Sequence, residues 1–273
     1  MIEPATLDLW HPIHTLSDLP AKPYRDRLLG TEIVVGPEGV SEAATGRPLK
    51  LLRAYRYLWA SLGEPGPLFA LPEADEPDRR VVECGAVRVR ASALRVIENF
   101  LDMAHFPFVH TNILGAEPQT EVGGYTCEIR RDIDEVWATE CRFHQPQAAL
   151  SARQGVDVEY RYRVMTPFTT LLYKTCPAEP SRFDVICLFV QPLTPTLSRA
   201  HPLMFLLDDA SPTAELIQFQ QHIFVQDRII LENQRPVLLP LAVGAEIPTR
   251  ADASSVAYRR CLKEKGVRFG ATV

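Results

Sequence analysis

Between residues 120 and 207 the chain reads as a succession of strands and turns. Tyr125 to Arg130, Glu135 to Arg142, Val156 to Val164, Thr169 to Lys174, Phe183 to Val190 and Ala200 to Leu207 are rich in apolar and β-branched residues, and turn residues separate them. That pattern predicts an antiparallel sheet. Two helical segments bracket it. Ser92 can cap a helix running from about Ala93 to Ala104, with Pro107 ending it. Ser211-Pro212 marks a second start, a cap followed by proline at the first helical position, for a long helix to about Gln234. A sheet with two such helices is an α+β domain.

Flanking segments are less regular. Residues 1–70 read as short strands and turns, among them Leu28-Leu29-Gly30 and Ile33-Val34-Val35, with Gly36-Pro37-Glu38-Gly39 as punctuation. A charged, Pro-containing connector at 71–80 suggests two units, 1–75 and 76–273. The tail from Leu238 has little periodicity beyond a short helix around Ser254 to Lys263. Charged residues are 23% of the chain and the formal net charge is -5, which gives no reason to expect nucleic acid. No apolar run approaches the roughly 18 residues of a membrane span, and Met1-Ile2-Glu3-Pro4 lacks the regions of a secretory signal. The expectation is a soluble, cytoplasmic protein whose six scattered cysteines are free thiols.

The chemistry concentrates between Glu98 and His110. This stretch, ENFLDMAHFPFVH, places acids and two histidines inside an apolar segment. Polar side chains in such company must be satisfied. Residues three or four apart share a helix face, so Glu98, Asp102 and His105 stack on one. His110 lies five residues past His105, and a break at Pro107 lets the chain turn and bring both imidazoles to one point. On the later helix Leu216, Ile223, Asp227, Ile230 and Leu231 fall on one stripe, so Asp227 interrupts an apolar face. If His105, His110 and Asp227 converge, they form a mononuclear metal site of the two-histidine, one-carboxylate type. Spacing alone leaves the plainer reading open: hydrogen-bonded core histidines and a paired or solvated aspartate.

Asn99-x-x-Asp102-x-x-His105-x-x-x-x-His110 resembles the catalytic-domain motif of Rieske non-heme iron oxygenases. Gln226 to Gln234 (QDRIILENQ) resembles their second ligand helix. The likeness runs through most of residues 81–270. It implies a helix-grip (START-like) catalytic domain, a curved antiparallel sheet around a long C-terminal helix. It also implies a mononuclear Fe(II) held by His105, His110 and Asp227. Asp102 would be the acid that carries electrons in from a Rieske cluster, and Asn99 would lie near the iron.

Family members usually carry a Rieske [2Fe–2S] domain before the catalytic domain, with one Cys-x-His and one Cys-x-x-His pair. Residues 1–90 hold Cys84, His11 and His14 alone of these types, and Cys-x-His occurs nowhere. Cys141-Arg142-Phe143-His144 is a lone Cys-x-x-His downstream of the iron motif, a chance spacing on a strand. This chain cannot build the cluster. Leu19 to Val35 and Tyr57 to Gly63 nevertheless resemble the two flanks of a Rieske domain, as a truncated β remnant.

The resemblance is strongest to the Rieske-lacking oxygenase subunits. It implies oxidative N-demethylation of a methylated, methylxanthine-like heterocycle with O2. NAD(P)H and a [2Fe–2S] cluster would act through a separate Rieske-containing reductase, within a homo- or hetero-oligomer of trimer-like form. Two alternatives remain beside it: O-demethylation or ring hydroxylation of an aromatic acid, and a catalytically decayed assembly subunit.

Overall fold

The computed structural model describes residues 2–152, 154–207 and 210–273. Met1, part of the N-terminal tetrapeptide discussed above, lies outside them.

A short helix α1 (Pro4–Leu7) leads into six strands, β1 (His11–Thr15), β2 (Tyr24–Leu28), β3 (Thr31–Gly36), β4 (Gly39–Glu42), β5 (Lys50–Ala54) and β6 (Tyr57–Ser61). They make two three-stranded sheets, β1-β6-β5 and β2-β3-β4. These sheets share a small core of their own around Ile13, Leu28, Ile33 and Leu58.

The main sheet has eight strands, ordered β7-β14-β13-β12-β11-β10-β9 with β8 also against β14. They are β7 (Arg80–Glu83), β8 (Val87–Val89), β9 (Thr126–Arg130), β10 (Glu135–Gln145), β11 (Val156–Thr166), β12 (Thr169–Thr175), β13 (Phe183–Thr194) and β14 (Leu197–Leu206). All pairings are antiparallel, as the turns between successive strands predicted. Several strands run past their sequence-predicted ends. β13 continues through Pro192 because Gln191 and Leu193 are buried and the Pro192 carbonyl accepts the Leu29 amide at 2.7 Å. Pro202 is tolerated within β14 because the outer neighbour changes there from β8 to β7, so no ladder bond depends on its missing N–H.

Both faces of the sheet are covered. Odd positions of β13, Val185, Cys187 and Phe189, pack with Leu203 and Phe205 against Tyr57 and Trp59 of the N-terminal strands. The opposite face, with Tyr160, Tyr162, Leu172 and Leu188, turns toward the helices α2 (Ala93–Leu101), α4 (Thr213–Asn233) and α5 (Ala253–Lys265).

Four helical expectations need correction. α2 stops at Leu101 rather than near Ala104, because Asp102 is already extended (φ -81°, ψ 129°). Pro212 is the N-cap of α4 rather than its first helical residue. Ile230, placed on the buried stripe of α4, is 49% exposed, while Leu216, Ile223 and Leu231 are buried as expected. α5 is longer than its weak periodicity suggested and ends on Gly266 in the left-handed region (φ 72°), a C-cap glycine takes without a Cβ clash.

Candidate metal centre

The first half of the site grows from the end of α2. Ser92 caps the helix by accepting the Leu94 amide at 3.2 Å and donates to the Gly270 carbonyl at 2.6 Å. Because the helix ends at Leu101, Asp102 does not stack above Glu98. Glu98 is not part of the centre. It is buried in an ion-pair network, accepting from Arg95 Nη1 at 3.0 Å and from Arg259, while Glu246 accepts from Arg95 Nη2 at 2.6 Å. Asp102 turns the chain instead: its Oδ1 accepts the Ala104 amide at 2.8 Å.

One helical turn, α3 (Phe106–Val109), then separates the two histidines. Pro107 opens this turn rather than ending the previous helix, a position where its missing N–H costs nothing. The Val109 amide donates to His105 O at 2.8 Å and the His110 amide to Phe106 O at 3.1 Å. Wound back in this way, the imidazoles face one another.

Asp227 of α4 completes the group. His105 Nε2, His110 Nε2 and Asp227 Oδ1 lie 3.2, 3.2 and 3.0 Å from one another. Three donors about 2.1 Å from one ion stand about 3.0 Å apart if they meet it at right angles, and about 3.4 Å apart if tetrahedral. The observed triangle is nearer the right-angled case, three donors on one face of an octahedron. Asn99 Nδ2 comes within 3.5 Å of Asp227 Oδ1. Thus His105, His110, Asp227, Asp102 and Asn99 all meet in one place. Cys141 and His144 do not contribute: Cys141 is buried, while His144 is exposed and bonded to Asp157.

The other ring nitrogens are held. His105 Nδ1 is 2.9 Å from Asp102 Oδ2, and His110 Nδ1 is 2.8 Å from the Gln226 carbonyl oxygen. Both partners are acceptors, so each Nδ1 carries the proton and each Nε2 presents a lone pair to the centre of the triangle. That is the donor set a divalent ion requires. Gln226 is the residue that sequence reasoning passed over, since a neutral amide gives no signal in a pattern of hydrophobic spacing. Burial opposes charge on His105, but the Asp102 and Asp227 carboxylates outweigh it and push its pKa up to about 9, so a metal ion taking the Nε2 lone pair displaces a proton from it. Burial alone raises Asp227, and the two imidazoles more than reverse that, holding it below the ordinary range.

The triad lies at one end of a cavity between the sheet and α4. Phe106, Tyr160, Leu172 and Ile186 form part of its wall, and Phe219 and Ile223 close it from the helix.

Residues 89–268 match the family described as the vanillate O-demethylase oxygenase C-terminal domain. The probable methylxanthine N7-demethylase NdmC of Pseudomonas sp. (strain TJI-51) is 48% identical over 272 residues, 97% of this chain and 96% of that protein. The chain belongs to the Rieske-type oxygenase demethylases. Methylxanthine N3-demethylase NdmB of Pseudomonas putida is 23% identical over 218 residues, 77% of this chain and 58% of that protein. Among solved structures, NdmA of Pseudomonas putida CBB5 with caffeine superposes with a TM-score of 0.79 at 18% identity, covering 96% of this chain and 92% of that one. Dicamba monooxygenase bound to dicamba gives 0.74 at 14% identity, covering 97% and 98%. The oxygenase fold is therefore shared with proteins that have diverged far in sequence. In this member no helix is long and apolar enough to cross a membrane among the described residues.

Proposed function

We propose that the chain is the oxygenase subunit of an N-demethylase. It would hold a mononuclear Fe(II) on His105, His110 and Asp227 and act on a methylated, methylxanthine-like heterocycle. The observation that carries this is the triad itself, three donors spaced as on one face of an octahedron with both Nδ1 protons fixed, at the end of an apolar cavity. Near full-length likeness to a probable methylxanthine N7-demethylase supports the substrate class. Bound iron supplies activation of O2. In the net change one oxygen atom of O2 enters a C–H bond of the N-methyl group, giving an N-hydroxymethyl carbinolamine. The other oxygen atom leaves as water, with two electrons and two protons taken up. The carbinolamine then loses formaldehyde and leaves the N–H product.

The chain's own residues have separate tasks. Asp102 fixes the tautomer of His105 and is the route for electrons into the site. Its side chain keeps 29% of its exposure, against 13% for His105 and 1% for His110, so it reaches the surface from a buried ligand. Asn99 steadies Asp227. The electrons would start at NAD(P)H and cross the [2Fe–2S] cluster of a Rieske-containing reductase, because this sequence lacks the Cys-x-His pair a cluster needs. Exposed Phe108, Val225 and Ile229, each within three residues of a ligand, suit a contact with that reductase or with another subunit. In this reading residues 76–273 form the helix-grip catalytic domain, and the six strands within 1–75 are a cluster-free remnant of a Rieske domain. We place the protein in the cytoplasm, where reductants are available. The match to a vanillate O-demethylase domain favours O-demethylation of an aromatic acid as the second reading.

Metal analysis and formaldehyde release test this. Protein purified under reducing, iron-supplemented conditions should hold one iron per chain. It should release formaldehyde from a methylated purine when a Rieske-containing reductase is present. Asp227→Ala should lose iron and turnover together. Asp102→Asn should keep the iron while turnover drops at least about 10-fold. Protein without iron sinks the oxygenase reading. Turnover with a flavin reductase that lacks any Rieske cluster sinks delivery through an external cluster. Formaldehyde from methoxybenzoates and none from methylated purines moves the assignment to the second reading.

A further inference from the structure

Lys174 stands in the wall of the cavity that ends at the triad. Its strand, β12, sends Leu172 and Lys174 to the cavity face. Across the sheet Lys174 is registered with Tyr160 of β11 on one side and Asp184 of β13 on the other. The residue is buried, yet among the described residues its ammonium makes one hydrogen bond, to the Ala148 carbonyl, and no ion pair.

Other buried or half-buried cations are treated differently. Arg95 has Glu98 and Glu246, Arg163 has Glu135, and Arg199 has Asp26. Asp184, the natural partner for Lys174, is engaged elsewhere: it accepts the Leu207 amide at 2.8 Å. An ammonium has three N–H donors, and buried donors are as a rule satisfied. Two of those on Lys174 therefore await an acceptor that the described residues do not provide. Burial pushes its pKa down to about 8, with Asp184 opposing that fall, so the cation predominates near neutral pH.

Aromatic rings connect Lys174 to the chemistry. Its Nζ is 5.6 Å from the centre of the Tyr160 ring, which is 6.1 Å from the Phe106 ring, itself 5.0 Å from the His105 ring. Two aromatic rings line the way from the ammonium to the imidazoles. A flat heterocycle laid along them presents one edge to the triad and the remote edge to Lys174.

The geometry points to Lys174 as the residue that orients the substrate, by donating to a ring carbonyl oxygen or deprotonated ring nitrogen remote from the methyl group that is oxidised. This rests on the reading above that the cavity takes a methylated heterocycle. It adds that the heterocycle must bear an acceptor on its far edge.

Binding without turnover tests it. The metal-loaded protein is titrated by calorimetry with methylated 2,6-dioxopurines and with methylated purines that lack the oxo groups. The wild type should bind the dioxopurines about 10- to 100-fold more tightly, the ratio expected for one charge-assisted hydrogen bond. Lys174→Met should erase most of that ratio, and Lys174→Gln, which keeps N–H donors, should restore part of it. A wild type that does not discriminate overturns the inference even if the variants fail to fold. A Lys174→Met protein that weakens both ligand sets equally also overturns it, since tethering the Ala148 segment would then be the residue's only role. Discrimination without formaldehyde release sinks demethylation and leaves the role of Lys174 standing.

Discussion

His110 is held by an amide where His105 is held by a carboxylate. The two imidazoles are therefore unequal. A carboxylate partner makes its ring the more basic donor, while the Gln226 carbonyl fixes orientation without adding charge. Gln226→Leu should leave His110 free to rotate. Chelator competition should then show metal affinity reduced about 10- to 100-fold, with little change in thermal stability. An unchanged affinity would mean that packing alone holds His110. The three residues of the triad could be singled out in the sequence because acids and histidines inside apolar stretches demand partners and because they fall on a motif that resembles the family's. Gln226 was not, because a neutral amide beside Asp227 raises no alarm in a pattern of hydrophobic spacing. Lys174 was equally silent, since a lysine in a strand reads as solvent-facing until the neighbouring strand and helix are placed.

At the level of elements, the end of α2 decides what each acid does. Had the helix continued to Ala104, Glu98, Asp102 and His105 would have stacked as the spacing predicted. Its stop at Leu101 sends Asp102 to the metal centre and leaves Glu98 between Arg95 and Arg259. The sequence holds no Gly or Pro at that point, so the stop comes from Asp102 bonding its own backbone at Ala104. Removing one member of a buried ionic network strands the others. Glu98→Ala should therefore cost about 3–5 kcal/mol in urea unfolding while the folded fraction keeps full metal stoichiometry. Lost metal with unchanged stability would return Glu98 to the site. The strands were read nearly to their ends from apolar and β-branched runs between turn residues. The extension of β13 through Pro192 needed the neighbours, which show that neither it nor Pro202, already inside a predicted strand, interrupts a ladder bond.

Across the whole molecule, the N-terminal strands and the catalytic sheet share a core that includes buried histidines. His11 and His201 are both held neutral by burial, their pKa values pushed down to about 4 and about 3. Unfolded histidine takes up a proton near pH 6.5. Each residue thus leaves stability intact above that pH and erodes it as pH falls toward the folded value, at up to about 1.4 kcal/mol per pH unit. Urea midpoints should decline between pH 6.5 and 4. His201→Phe, which keeps a ring against Tyr57 and removes a buried ring nitrogen that has no hydrogen-bond partner among the described residues, should flatten that decline. An equally steep decline in the variant would assign the acid sensitivity to other groups. None of this was visible in the sequence, where both histidines looked like isolated residues in strands.

The sheet between these two layers is a single residue thick. Val185, Cys187 and Phe189 carry Tyr57 and Trp59 on one side, and Ile186 and Leu188, one step away on the same strand, shape the cavity on the other. A change of bulk at Trp59 must be absorbed by Phe189, 4.9 Å away, and so by the backbone that also sets Leu188. The N-terminal strands can therefore retune which molecules the cavity admits without ever meeting one. Selection for a new substrate can act on them from behind.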